Sequence, residues 1–574
     1  MQKSGRVHLA TVRRLYKGKT YVSHLLRRSY REGGRVKSET VGNLSALPEH
    51  LVELVRRGLS GELFLPASGL QKLSSLPHGQ VAAVLGLMRQ LGFDKLIDPR
   101  PSKERDLVLG MVAARVLQPA SKLATTRLWK QSTLASELKL EAADEDHLYA
   151  ALDWLYERQP EIQRRLLQRY LKPGGLVFYD LSSSYLTGRH CPLARLGFSR
   201  DGKRGTLQIA YGLLANRDGL ALAVEVFKGD TVDTTTVVGQ ADKLQSEYGL
   251  ERMVLVGDRG MLSNARVEEL AARGMGWITA LRAPQIQALL ARGSLQLGIF
   301  DERNLAEISD PAYPGERLVV CRNPLLAEER QRKREDLLRA TEAKLAPIRE
   351  RVEAGRLRGR DAIGIAVGKM IDRHKVGKHF AIEIKDERLR VERKEAEIAA
   401  EAALDGIYVL RTSVPAAELE DLEVVRTYKR LAKLERSIRR MKSFDVQVRP
   451  VHHYSENRVR AHVFLCMLAA HLEWHLEDKW APLLFKDEQP PLAEDPVAPA
   501  RRSSQALRKA SSKQLEDGTP VHSLRTLLNE LATITRDRLL PEGAPPESAF
   551  ELVTVPSEHQ THALRLLGVN SGRL

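Results

Sequence analysis

Residues 173–183, PGGLVFYDLSS, place a turn signal before an apolar run that closes on Asp180, and residues 253–258, MVLVGD, repeat the pattern with Asp258. A short apolar run bounded by turn residues predicts a buried strand. Between the two runs, QIAYGLLAN (208–216) and LALAVEVF (220–227) predict two further strands joined by the hairpin signal Arg217-Asp218-Gly219. TTTVVGQADKLQSEYG (234–249) and NARVEELAARG (264–274) predict helices, and WITAL (277–281) a last strand. Three strands followed by helix, strand, helix and strand define an α/β layer architecture.

Each of the two aspartates ends a strand, where a carboxylate without a task costs folding energy and where ligands of α/β sheets gather. A converging carboxylate pair is a divalent-metal site, since Mg²⁺ favours a few carboxylates with water and phosphate oxygens. The plainer reading is that each Asp caps the turn after it. That reading is preferred for one such residue; two, on the first and fourth strands of one sheet in a basic protein, favour the metal.

Working outward, residues 6–45 alternate in short stretches broken by Gly-Lys and Gly-Gly, which predicts a β-rich N-terminal module over 1–65. Residues 75–172 carry apolar positions at three- and four-residue spacing and predict a helical domain, with Pro160 breaking its last helix in two. The α/β domain then occupies 173–480. It is interrupted at about 283–404 by a charged helical stretch and a strand-like KHFAIEIKDERLRVER, and resumes at GIYVLRTS (406–413) before long helices over 418–442 and 456–479. Residues 487–512, rich in Pro, Ala and Ser, predict a linker, and 513–574 a small C-terminal α/β segment.

The chain has 574 residues and a formal net charge of +17. Residues 1–60 hold 13 Lys/Arg against 4 Asp/Glu, and 426–460 hold 11 against 3, so these two segments carry the whole excess. A neutral body with two basic segments suits a phosphate backbone, although solubility alone also favours net charge. Cys191, Cys321 and Cys466 stand apart in sequence, which excludes a disulfide scaffold or a four-cysteine zinc module and fits a reducing cytosol. No apolar run approaches the ~18 residues of a membrane span and no signal peptide is evident, so a soluble intracellular protein without a membrane partner is expected.

A third carboxylate is found in TYKRLAKLERSIRRMK (427–442), where Glu435 is the only acid among many cations. Tyr428, Glu435 and Lys442 recur at seven-residue spacing, close to two helical turns, and so share one face of a predicted helix. Taken alone this is a solvated basic helix; with Asp180 and Asp258 it becomes a stripe for metal and phosphate.

These residues, in FYDLSSSYL, GFSRDGKRGTLQIAYGLL, EVFKGDTVDTTTV, LVGDRGM, GIYVLRTS, YKRLAKLERSIRRMKSF and RPVHHYSENRVRAHVFLCMLA, together with the N-terminal YVSHLLRRSYRE and VGNLS, resemble the insertion-sequence DDE transposases of the insertion-sequence-four type, nearest their sixteen-thirty-four group. The resemblance implies an RNase H-like catalytic core with a large insertion between the second Asp and the Glu, which here stand 177 residues apart. It implies that Asp180, Asp258 and Glu435 are the catalytic, metal-holding triad, with two Mg²⁺ ions (Mn²⁺ able to substitute) driving strand cleavage and strand transfer. Tyr428 and Lys442 match the outer positions of the family's Tyr-x₂-Arg-x₃-Glu-x₆-Lys signature; its Arg position is Leu431 here, with Arg430 one residue earlier. Tyr428, Lys442, Arg430, Arg439 and Arg259 would then contact DNA, with Gly257 and Gly260 allowing close approach. Double-stranded DNA, meaning the terminal inverted repeats and the target, is the expected partner, a homodimer the expected complex, and the bacterial cytoplasm and nucleoid the expected location. The tryptophan that stacks on a flipped base in some relatives is not matched.

Two other functions compete: a non-catalytic DNA-binding protein derived from a transposase, and a structure-selective nuclease. Other motifs fail. His471-Leu472-Glu473-Trp474-His475 has its Glu misplaced for a zinc protease, and GIAVGK (364–369) is one residue short of a phosphate-binding loop. His462/Cys466 and His471/His475 read as packing, and Ser182–Ser184 lack a nucleophile elbow.

Overall fold

In the computed structural model, Phe178 pairs with Val256, and Val256 with Ile278, in two parallel ladders. Strand Leu176–Tyr185 also pairs antiparallel with Leu207–Ala215, which turns back through Gly219 into Ala221–Lys228. The five strands therefore stand in the order third, second, first, fourth, fifth. The structure describes residues 6–62, 69–188, 190–298, 300–385, 388–442, 446–449 and 451–573. The boundary expected at residue 65, and Ser443 and Phe444 of the signature segment, lie outside them.

Helices Asp233–Ser246 and Asn264–Ala272 cover one face of the sheet, burying Val237, Leu244 and Leu270 with Val177, Tyr179 and Leu255. On the other side, helix Leu431–Lys442 packs on the first strand and helix Glu456–Lys479 on the third. Glu456–Lys479 is apolar around its whole circumference, with Val463, Phe464, Leu465 and Leu468 all fully buried. Such a helix must be enclosed, and helices Lys103–Leu117 and Glu145–Tyr170 enclose it. The helices of 79–170 thus share a core with the sheet and do not form a separate domain.

Four further expectations are corrected. Helix Glu145–Tyr170 runs unbroken through Pro160, which sits on its exposed side while Leu155 and Ile162 stay buried across it. Residues 283–322 do not interrupt the layer. Strand Arg317–Arg322 pairs with Ile407–Thr412, which pairs with Gly276–Ala280, and Leu305–Ile308 pairs with Arg317–Arg322. With the two-residue strand Arg195–Leu196 on Leu207–Ala215, the sheet has nine strands among the described residues. The inserted body is 324–402, with its own small core of Leu345, Ile348, Ile363, Val367 and Leu389. The expected linker at 487–512 is tied down as well. Ser503 caps helix Ser504–Ser512 and donates to Asp487 Oδ1 at 2.7 Å, while the buried Lys509 ammonium donates to Glu488 at 2.8 Å and to the Ala481 carbonyl at 3.1 Å. Pro, Ala and Ser there serve as caps and small packing residues.

The chain forms two compact units, residues 1–75 with 536–554, and 76–535 with 555–574. In the first, strands Arg6–Tyr16, Lys19–Glu32 and Arg35–Asn43 form a meander, and helix Glu49–Leu59 packs on it through the buried Val52. Both hairpin turns place two residues at positive φ, Lys17-Gly18 and Gly33-Gly34, as a two-residue primed turn requires. A second sheet of this unit joins Leu70–Pro77 to Thr535–Pro541 and Phe550–Val553. The C-terminal segment therefore splits, its strands in the first unit and its helices in the second.

Candidate active site

The pairing of Phe178 with Val256 decides the site. Asp180 and Asp258 each follow that pair by two residues, Asp180 still within its strand and Asp258 just past the end of the neighbouring one. Asp180 is not the last residue of its strand as expected. The strand continues to Tyr185 because Ser182, Ser183 and Ser184 are small enough to be buried against Leu207–Ala215. Asp258 lies two residues beyond Val254–Val256, in a turn closed by the Met261 N–H on the Asp258 carbonyl at 3.0 Å. Arg282 braces this turn from outside, donating to the Arg259 and Gly260 carbonyls at 3.3 and 3.2 Å.

Glu435 arrives on helix Leu431–Lys442, held to the sheet by the hairpin tip at Gly219. There φ is +79°, and a Cβ would stand 2.8 Å from Lys433, so only glycine allows the close approach. Asp180, Asp258, Glu435 and Tyr428 line one cavity of about 980 Å³. None of the three acids makes an ion pair among the described residues. Asp180 accepts the Leu181 N–H at 2.8 Å, and Tyr428 Oη donates to Asp258 Oδ1 at 3.4 Å. Burial, opposed by that N–H and by Arg200, and reinforced by the charges of Asp258 and Glu435, pushes the Asp180 carboxyl up to about 7. The Tyr428 phenol is raised by burial and by Asp258, so it stays a hydrogen-bond donor.

This donor set fits a hard divalent cation: carboxylate oxygens only, one desolvated, and none held in an ion pair among the described residues. The three do not close on a single point, since among the described residues only His522, Glu530 and His559 bring three ligand atoms within 4.8 Å of one another.

The remaining residues singled out by sequence divide. Arg259, exposed, lines the cavity. Arg439 is exposed on the Glu435 helix. The predicted continuous helix is two, Asp421–Lys429 and Leu431–Lys442, joined at Arg430, so Tyr428 and Glu435 meet at the cavity from separate helices. Arg430 lies 4.0 Å from Glu423. Lys442 is turned inward: its ammonium lies 3.0 Å from Asp201, whose buried carboxylate also takes Arg449 at 2.6 Å. Burial lowers the Lys442 pKa. Much of the basic excess of 426–460 is likewise committed within the protein, with Lys433 on Asp218, Arg440 on Glu477, Arg458 on Asp153 and Arg460 on Glu456.

Cations that sequence reading missed reach the cavity from the inserted body: Arg330 and Lys333 on helix Pro324–Glu353, and Lys375. All three are exposed and without an ion pair among the described residues, whereas Arg334 and Lys378 beside them pair with Asp405 and Glu401. Helix Pro324–Glu353 holds cations and acids in near-equal number, so net charge conceals which of its sides is positive.

Residues 199–472 match the family described as "Transposase DDE domain", and residues 9–61 match "IS1634 family transposase, N-terminal domain". The chain belongs to the IS1634-type insertion-sequence transposases. Asp258 and Glu435 fall within the matched DDE domain, while Asp180 lies before its first matched residue. DDE transposase domains generally use divalent metal ions and transposases act on DNA, in keeping with the carboxylate donor set of this transposase. Among solved structures, a cryo-EM structure of the piggyBac transposase synaptic complex with hairpin DNA is similar at a TM-score of 0.34 and 9% identity, over 78% of this chain and 79% of that one. That similarity is too low to equate individual residues. No curated protein matches the chain. Among the described residues no single helix is long and apolar enough to cross a membrane.

Proposed function

We propose that this transposase cuts DNA at the terminal inverted repeats of its insertion sequence and joins the ends to a target, using an RNase H-like core in which Asp180, Asp258 and Glu435 hold two Mg²⁺ ions. The observation that carries this reading is that Asp180, Asp258 and Glu435, none of them in an ion pair among the described residues, line one cavity. Divalent cations bound there supply Lewis-acid activation of the attacking oxygen and neutralise charge on the leaving one. The protein's own groups do the rest. Tyr428 orients Asp258 through its hydroxyl, and Asp180 would give up its proton where cations are bound, because their charge offsets the burial and the neighbouring carboxylates that favour its neutral form. Arg259, Arg439, Arg330, Lys333 and Lys375 hold the strand by its phosphates. The N-terminal meander, with Arg13, Arg14, Lys17 and Lys19 exposed and in no ion pair among the described residues, anchors end DNA. Processing two ends calls for a homodimer on DNA, acting at the nucleoid in the cytoplasm.

The test is cleavage of DNA carrying the element's own ends, with Mg²⁺ or Mn²⁺. Asp180→Ala, Asp258→Ala and Glu435→Ala should each abolish cutting while end binding survives, since metal ligands go and backbone contacts remain. Full activity in any one variant removes that residue from the site. Wild-type protein that binds ends without cutting them indicates a non-catalytic DNA-binding role, and cutting without end preference indicates a structure-selective nuclease.

A further inference from the structure

Far from the candidate active site in sequence, His522, Glu530 and His559 bring two imidazole nitrogens and one carboxylate oxygen within 4.8 Å of one another. His522 precedes helix Leu524–Leu531, Glu530 lies in its last turn, and His559 lies in the first turn of helix Glu558–Leu566. Glu530 Oε2 stands 3.0 Å from His522 Nε2 and 3.9 Å from His559 Nε2, and each imidazole side chain is only 11% exposed. Yet neither Nε2 makes a hydrogen bond. The groups are close without the alignment that a hydrogen bond needs.

On its other side the ring is held by Thr526, whose Oγ1 lies 3.3 Å from His522 Nδ1 and accepts the Ser523 N–H at 2.9 Å. With Nδ1–H donated to that oxygen, His522 Nε2 presents its lone pair to the side where the Glu530 carboxylate and His559 Nε2 lie. Two imidazoles and one carboxylate form a three-ligand set that zinc accepts, and a donated Nδ1–H is the usual outer support of a zinc-bound histidine.

We propose that His522, Glu530 and His559 bind a Zn²⁺ ion that joins the last two helices of the second unit. The joint would reinforce the bonds already there, from Gln560 Nε2 to the Glu530 carbonyl at 2.9 Å and to Thr533 Oγ1 at 2.8 Å. Helix Leu524–Leu531 in turn packs on helix Gly79–Leu91. Because binding requires the folded arrangement, metal affinity appears as folding stability.

The test uses the full-length chain without a histidine tag, stripped with chelator and equilibrated with Zn²⁺. About one equivalent should stay bound through gel filtration, and the melting temperature should rise with added Zn²⁺. His522→Ala and His559→Ala should each lose both effects, whereas Asp258→Asn should keep them, which separates this site from the carboxylate triad. Because a histidine variant that misfolds would leave the comparison open, Co²⁺ added to the wild-type chain gives a second reading: intense visible absorption of a four-coordinate ion with nitrogen ligands. No retained Zn²⁺, retention in both histidine variants, or Co²⁺ showing only the weak absorption of a six-coordinate ion would each overturn the assignment.

Discussion

Asp180 is held against its own ionisation. Its carboxyl, pushed up to about 7 by burial and then by Asp258 and Glu435, binds a proton more tightly in the folded chain than at its ordinary value of 3.8. For a raised carboxyl, the stability contribution is present at low pH and lost as pH climbs through the interval from about 4 to 7. Without metal, Asp180→Asn should therefore be stabilised relative to the wild type by about 1–3 kcal/mol at pH 8 and by little near pH 4. Melting curves in chelator at the two pH values check this, and an equal difference at both would show that Asp180 ionises normally. Lys442 teaches the opposite lesson. Its spacing from Glu435 is right for a shared helix face, but its ammonium is drawn to the buried Asp201 and away from the cavity.

At the scale of elements, the site depends on how helix Leu431–Lys442 docks. The helix reaches the sheet only because the hairpin of Leu207–Ala215 and Ala221–Lys228 turns on Gly219, and Ser437 Oγ donates to the Gly219 carbonyl beside it. Gly219→Ala combines a left-handed backbone with a Cβ 2.8 Å from Lys433, and should cost roughly 2–4 kcal/mol. Since Glu435 rides on the displaced helix, strand cutting should fall at least tenfold in protein that remains folded, while end binding changes little. Cutting at wild-type rate in a destabilised variant would show that Glu435 holds its place by other contacts.

For the whole molecule, the two sources of positive charge make different predictions. Arg330, Lys333 and Lys375 face the cavity from the inserted body without ion pairs among the described residues. Replacing all three with Ala should flatten the slope of log affinity for end DNA against log salt by about 2–3, at roughly 0.9 per lost phosphate contact. Lys442→Ala should leave that slope unchanged and lower stability by about 1–3 kcal/mol, because among the described residues Asp201 then keeps one cation, Arg449. Titrations of fluorescent end DNA at several salt concentrations distinguish the two. A slope lowered by Lys442→Ala and untouched by the triple substitution would invert the assignment.

Local pattern by itself determined the order of the helices and the longer strands from Leu176 to Ala280, though not the two-residue strand Arg195–Leu196, and the two aspartates that follow Phe178 and Val256, because strand period and turn chemistry are written within a few residues. It also marked Glu435 as an acid out of keeping with its surroundings. Only tertiary structure decided that Asp180 lies inside a longer strand, that the signature helix breaks at Arg430, and that Lys442 points inward. The same holds for residues 283–322, which extend the sheet, and for the C-terminal strands, which join the first unit. Each of these depends on a partner distant in sequence: Leu207–Ala215 for the serines after Asp180, Asp201 for Lys442, Ile407–Thr412 for Arg317–Arg322. A pairing energy between distant residues leaves no periodic mark on either segment alone, and that is why these features became visible only in the folded chain.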